Sequence, residues 1–100
     1  MKRIETLASL VDKDAYVLDI GTDHAYLPIY LYKNNITKSI VGSDISKNAL
    51  EYAKTNLVKY GLENKIKLIV SDGFKNINET FDIAIISGVG TETIKKNTRL

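Results

Sequence analysis

The sequence predicts an α/β fold: a parallel sheet of strand order 3-2-1-4 with helices packed on it as a three-layer sandwich. Two observations carry this. Four short runs rich in Val, Ile and Leu recur along the chain, AYVLDI at 15–20, SIVGSD at 39–44, IKLIV at 66–70 and FDIAIIS at 81–87, and the segments between them have helical spacing. Strands that alternate with helices pair in parallel through crossover connections, and runs that are apolar throughout suit strands covered by helices on both faces.

The elements follow in order. Ile4, Leu7, Ala8 and Val11 share a face in the opening segment, which reads as a helix packed against the sheet. A second helix must begin soon after His24, because Pro28 is tolerated only in a first turn, where N–H groups have no intrahelical acceptor. The third helix runs from about Ser46 to Tyr60. Ala49, Leu50, Ala53, Leu57 and Val58 form its apolar stripe, Ser46 caps its start, and Gly61 takes the left-handed conformation that stops it. A short helix or turn fills 73–79, and TETIKKN, from Thr91, is expected to open a further helix. With that order, strand 82–87 would lie at an open edge, available for self-association.

Composition narrows the function. The chain has 100 residues, 44% of them hydrophobic, which suits one modest core and a single domain over 1–100. With no cysteine and a single histidine, thiolate and imidazole metal sites are not expected, and a reducing cytoplasm is the natural setting. Glu5, Thr6 and Asp12 interrupt the N-terminal segment, and no window reaches membrane-spanning length, so neither a signal peptide nor a membrane helix is expected. The net charge of +2 permits a polyanionic partner without requiring one.

Carboxylates mark the ends of the runs: Asp19 and Asp23 about the first, Asp44 ending the second, Asp72 just beyond the third. In a parallel sheet these ends share one edge, where open α/β sheets bind ligands. Aspartate and glycine also favour such places simply because they make turns; it is the combination that points to a ligand. Asp44 can accept both hydroxyls of a ribose, Asp72 can accept from an adenine amine, and Phe74 or Ile45 can cover the base. Gly21 admits close backbone approach, but Asp19 and Asp23 repel phosphates and the GxGxxG pattern is absent, which disfavours a nicotinamide dinucleotide. S-adenosylmethionine, with a sulfonium, an ammonium, a ribose and an adenine, fits better. His24 on its own reads as a capping or packing residue, and Tyr26 stands near enough to the loop to meet a substrate. SGVGT at 87–91 lies where a methyl acceptor would approach.

The stretch DIGTDHAYLP at 19–28 resembles the DIGSDHAYLP of the bacterial tRNA (adenine-N1)-methyltransferases that modify adenine 22, the TrmK family. SDGF at 71–74 and SGVGT at 87–91 agree less closely, and Val89 and Thr91 depart from the family's GMGG. The resemblance runs from the first helix to about Thr91. It implies a Rossmann-like class I methyltransferase fold, S-adenosylmethionine as donor and tRNA as acceptor, with no metal. It also implies that 1–100 is a truncated, N-terminal part, lacking later strands and a helical C-terminal domain. By position, the resemblance puts Asp19, Gly21, His24, Asp44, Ile45, Asp72, Gly73, Phe74 and Ser87 around the donor. Asp23 becomes the catalytic aspartate, and Tyr26, Gly88 and Gly90 face the acceptor. A methyltransferase of this fold acting on another substrate, and a nucleoside-binding module without turnover, are the competing readings.

Overall fold

The computed structural model describes residues 2–86 together with the backbone of 92–95. Helix α1 (Lys2–Ala8) leads into β1 (Val17–Ile20), α2 (Tyr26–Lys33), β2 (Ile40–Asp44), α3 (Lys47–Lys59), β3 (Lys67–Val70), β4 (Ile83–Ile86) and β5 (Glu92–Lys95). The sheet order is β3-β2-β1-β4-β5. The first four strands are parallel and in the expected order. Val17 pairs with Ile40 on one side and Ile83 on the other, which makes β1 a central strand.

The fifth strand corrects two expectations. Glu92–Lys95 is an antiparallel strand on β4, in the register Ile83↔Lys95 to Ile86↔Glu92, not the helix expected from TETIKKN. An uncovered β4 would present a row of unpaired N–H and C=O groups, and a short strand rich in Thr and Ile satisfies them. The β4 edge is therefore occupied, and the premise for self-association through it is gone.

Side-chain alternation divides the sheet. Val17, Ile40, Ile83 and Ile85 belong to one buried cluster with Leu7 and Ala8 of α1, Leu27, Ile29 and Leu31 of α2, and Leu50, Ala53 and Leu57 of α3. All three helices thus cover one face. Leu18, Ile20, Ala84 and Phe81 form a smaller cluster on the opposite face, joined by Val41, Ile77 and Ile86; no helix among the described residues lies there. Residues 73–76 form a turn.

Local chemistry explains the helix limits. Pro28 is the third residue of α2, within the first turn as required. Ser46 takes an extended conformation, and its hydroxyl accepts from Ala49 N at 3.1 Å. Gly61 lies at φ 70° just past the C-terminal cap, a left-handed angle that costs a residue with a Cβ more. Val58, expected on the buried stripe, is exposed. It stands one position past Leu57 and so is rotated about 100° off the line of Leu50, Ala53 and Leu57. Ser46→Ala is expected to cost about 1 kcal/mol, measured as a lower urea midpoint with an unchanged slope.

Candidate functional site

At the carboxyl end of the sheet the chain crosses from β1 to α2 through residues 21–25, and hydrogen bonds pin this loop at four points. Gly21 N and Thr22 N both donate to Ser43 O at 2.9 Å. Asp23 N donates to Asp44 Oδ2 at 3.1 Å, and Asn56 Nδ2 of α3 donates to His24 O at 2.8 Å. Strand β2 supplies the closest packing, since a Cβ on Gly42 would meet Thr22 Cγ2 and Oγ1 at 3.1 Å. Glycine is what lets the loop lie down on β2.

The loop's backbone is unusual. Gly21, Asp23 and Ala25 have φ of 74°, 54° and 63°, so every second residue is left-handed. Glycine takes this conformation freely and aspartate tolerates it, whereas for alanine it costs on the order of 1–2 kcal/mol. Strain of this kind collects where a structure must present particular groups.

Asp44 is the organising residue. Its Oδ1 accepts from Ser46 N at 2.9 Å while Oδ2 accepts from Asp23 N at 3.1 Å. A carboxylate oxygen has two acceptor directions, so each keeps one for a ligand hydroxyl. The Asp44 carbonyl accepts from Ser71 N at 3.0 Å, which brings residues 71–73 beside the end of β2. There Ser71 Oγ donates to Gly73 O at 2.8 Å, and Lys75 Nζ lies 3.3 Å from Asp72 Oδ2.

These segments enclose a cleft of about 600 Å3 lined by Asp19, Gly21, Asp23, Tyr26, Asp44, Ile45, Asp72 and Gly73, together with Arg3, Ile4, Ile20, Thr22, Leu27, Ser46, Ala49 and Ile86. Among the described lining residues four carboxylates meet one guanidinium, with Lys75 paired to Asp72 beside them, and the remaining excess of negative charge favours a cationic ligand and disfavours phosphates. Asp19 is 1% exposed and Thr22 is buried, whereas Asp23 keeps 64% of its side chain in solvent. Away from this edge, the Lys67 ammonium hydrogen-bonds Glu79 and holds its carboxyl below the usual carboxylate range.

Two of the expected donor residues lie off the cleft lining. The His24 ring packs outward, its Nδ1 2.9 Å from Asp23 Oδ2, between the rings of Tyr26 and Tyr52. Phe74 stacks on Phe81 at 5.9 Å between centroids, with 42% of its surface exposed. Ser87, Gly88 and Gly90 lie outside the described residues. Sequence reasoning missed Thr22 and Arg3. Thr22 was readable as the small residue beside Gly21, but Arg3 reaches the cleft from α1 and no local motif announces it. Among the described residues no group of three or more His, Cys, Asp or Glu side chains could hold a metal ion, and no helix is long and apolar enough to cross a membrane.

Comparison with known proteins points the same way as the cleft. A family model described as a methyltransferase domain matches residues 1–97. A Mycoplasma genitalium protein named as a candidate tRNA methyltransferase is 47% identical over an alignment of 94 residues that covers 89% of this chain and 42% of that protein. The tRNA (adenine(22)-N(1))-methyltransferase of Bacillus subtilis is 33% identical over 90 residues, 89% of this chain and 38% of the enzyme. The structure of M. capricolum TrmK in complex with S-adenosylhomocysteine superimposes with a TM-score of 0.73 at 40% identity, covering 80% of this chain and 35% of that one. The chain thus spans about two fifths of the length of the curated relatives it matches. With the match over residues 1–97 and a parallel sheet of order β3-β2-β1-β4, the chain belongs to the methyltransferase domain family.

Proposed function

We propose that this chain is the donor-binding part, a single domain over 1–100, of an S-adenosylmethionine-dependent enzyme that methylates N1 of adenine 22 in bacterial tRNA, in the cytoplasm. The observation that carries the reading is the acidic cleft at the carboxyl end of the sheet, with Asp44 holding two spare acceptor directions at its rim. The resemblance of B. subtilis and M. capricolum enzymes supplies the acceptor.

The residues fit the donor. A cleft of about 600 Å3 lies within the range of small-molecule sites, roughly 300–1,000 Å3. In this reading Asp44 accepts from the two ribose hydroxyls, and Asp72 accepts from the adenine amine while Gly73 and Ile45 flank the ring. Gly21 lets the backbone approach the methionine part, beside Asp19. When bound, the donor would supply a methyl group on a sulfonium; attack by the adenine N1 lone pair would form the N–C bond as the C–S bond breaks, with S-adenosylhomocysteine leaving as a neutral thioether and no covalent enzyme intermediate.

N1 carries no proton to lose, so the protein has no need of a strong general base at the attacking atom. Its task is alignment and charge. Positive charge grows on the adenine as the methyl transfers, and a carboxylate that accepts from the N6 amine stabilises that charge more than it stabilises the neutral base. Asp23 is the residue assigned here. It lines the cleft, is largely solvent-exposed, and has its main chain fixed by Asp44. Tyr26, also on the lining, is assigned to the acceptor side, as are Gly88 and Gly90 from the sequence pattern, while Ser87 is assigned to the donor. His24 and Phe74 act from the rim.

The test is transfer of labelled methyl from S-adenosylmethionine to unmodified tRNA by the enzyme that contains this chain, with the product nucleoside identified. N1-methyladenosine is expected. Asp23→Asn keeps the shape and removes the charge, and is expected to lower kcat about 100-fold with little change in donor affinity. Methyl groups on another atom or another substrate, or unaltered turnover in Asp23→Asn, would overturn the acceptor assignment and the aspartate's role respectively.

A further inference from the structure

Three rings stand in a row beside the cleft. The Tyr26 and His24 rings are stacked, with centroids 5.4 Å apart and planes 7° from parallel, and Tyr52 of α3 continues the row at 5.4 Å and 31°. Tyr26 is 47% exposed and Tyr52 is 62% exposed, so mutual packing leaves about half of each in water. The row is held firmly, because Asn56 fixes the His24 carbonyl and Asp23 contacts its ring. It begins inside the site, since Tyr26 also lines the cleft. Further along the same side stands Tyr60, 45% exposed, with Lys33 Nζ at 5.5 Å and Lys59 Nζ at 5.8 Å from its ring centroid. A second hollow of about 290 Å3 joins Tyr26, Tyr30, Lys33 and Tyr60. Tyr52, Tyr60, Lys33 and Lys59 are not on the lining of the donor cleft.

We infer that the Tyr26–His24–Tyr52 row and the adjoining Tyr60, Lys33 and Lys59 form a stacking platform for an unpaired segment of the acceptor RNA. The chemistry selects this partner. Exposed ring faces interleaved with cations are what unpaired nucleotides bind, base on ring and phosphate near ammonium, and a duplex hides its base faces. Electrostatics sets the direction. Carboxylates repel phosphates from the cleft, so the RNA backbone runs over Lys33 and Lys59 while the target base is delivered past Tyr26. Taking that base out of a folded RNA costs a few kcal/mol, and stacking of its neighbours on Tyr52 and His24 offsets part of that cost. Tyr52 is a positioning residue here, since it touches neither donor nor reacting atoms.

The inference rests on the RNA acceptor proposed above, and its test separates the two. Anisotropy of a labelled single-stranded oligoadenylate of about eight nucleotides, within the site sizes of single-strand binders, is measured against this 100-residue chain, alongside calorimetric titration with S-adenosylhomocysteine. The wild type is expected to bind the single strand more tightly than a hairpin of the same length. Tyr52→Ala and Tyr52→Leu are expected to weaken oligoadenylate binding about 5- to 150-fold, the loss of one stacked base, whereas Tyr52→Phe keeps it. Titration with S-adenosylhomocysteine stays the same in all three. Equal oligoadenylate affinity in Tyr52→Ala and wild type, or no oligoadenylate binding by the wild type, overturns the platform and leaves the donor site standing. Tyr52-dependent RNA binding without any S-adenosylhomocysteine binding supports the platform and removes the methyl-transfer reading instead.

Discussion

Asp44→Asn is expected to abolish most of the affinity for S-adenosylmethionine. Both oxygens of this carboxylate already accept backbone N–H groups, from Ser46 and from Asp23, so whichever position the amide nitrogen takes, an N–H will face an N–H. Either the Asp23 bond, one of the four that pin the 21–25 loop, or the Ser46 bond is lost, and one of the two acceptor directions offered to ribose becomes a donor. Hydrogen bonds to charged groups are each worth about 1.5–3 kcal/mol, and the combined loss of about 2–4 kcal/mol corresponds to about 30- to 1,000-fold in Kd. Calorimetry with S-adenosylhomocysteine measures the affinity, and amide shifts at Asp23 and Ser46 report which anchor has gone. An unchanged Kd would remove the ribose role from Asp44.

The second large effect concerns the fold beneath the cleft. Ile85→Ala truncates a side chain that is 0% exposed, on β4 between β1 and β5 and within the cluster shared by all three helices. Large-to-small changes at such positions cost about 2–5 kcal/mol. A domain of this size has about 5–15 kcal/mol in total, and each kcal/mol moves Tm by roughly 4–8 °C, so a fall in Tm of more than about 10 °C is expected by thermal denaturation. Val58→Ala on α3, where the side chain is exposed, serves as the comparison and should move Tm by no more than a few degrees. Equal shifts in the two variants would mean that the helix-covered face is not where the stability resides.

The parallel part of the sheet was legible because its strands are short runs rich in Val, Ile and Leu and the first two crossovers carry helix signals, in Pro28 and in Ser46 with Gly61. The fifth strand was not. TETIKK is short, and its β-branched residues had a partner only once the β4 edge was in place. Val58 shows the limit of reading a stripe by eye, since a single step along a helix carries a side chain out of the contact. In the cleft, the carboxylates at strand ends could be placed because parallel topology brings all such ends together. His24 and Phe74 could not, because a position in the chain does not say which way a ring turns; His24 stacks between two tyrosines and Phe74 lies on Phe81. Arg3 belongs to the same class, a contact made by tertiary packing alone.

The central place of β1 also governs how the molecule comes to be. Val17 to Ile20 pair with β2 on one side, but their partners on the other side are Ile83 to Ile86, separated from them by α2, β2, α3 and β3. During synthesis the strand that carries Asp19 and leads into Gly21 waits, half-paired, until β4 has been made. The unit from β1 to β3 can form early from neighbouring segments, whereas β4 must close a long loop and does so late, at a cost in rate more than in stability. A ribosome-bound chain arrested before Ile83 therefore exposes the flank of β1 to other unpaired strands. The cleft, which Ile86 of β4 helps to line, is completed only when that flank closes.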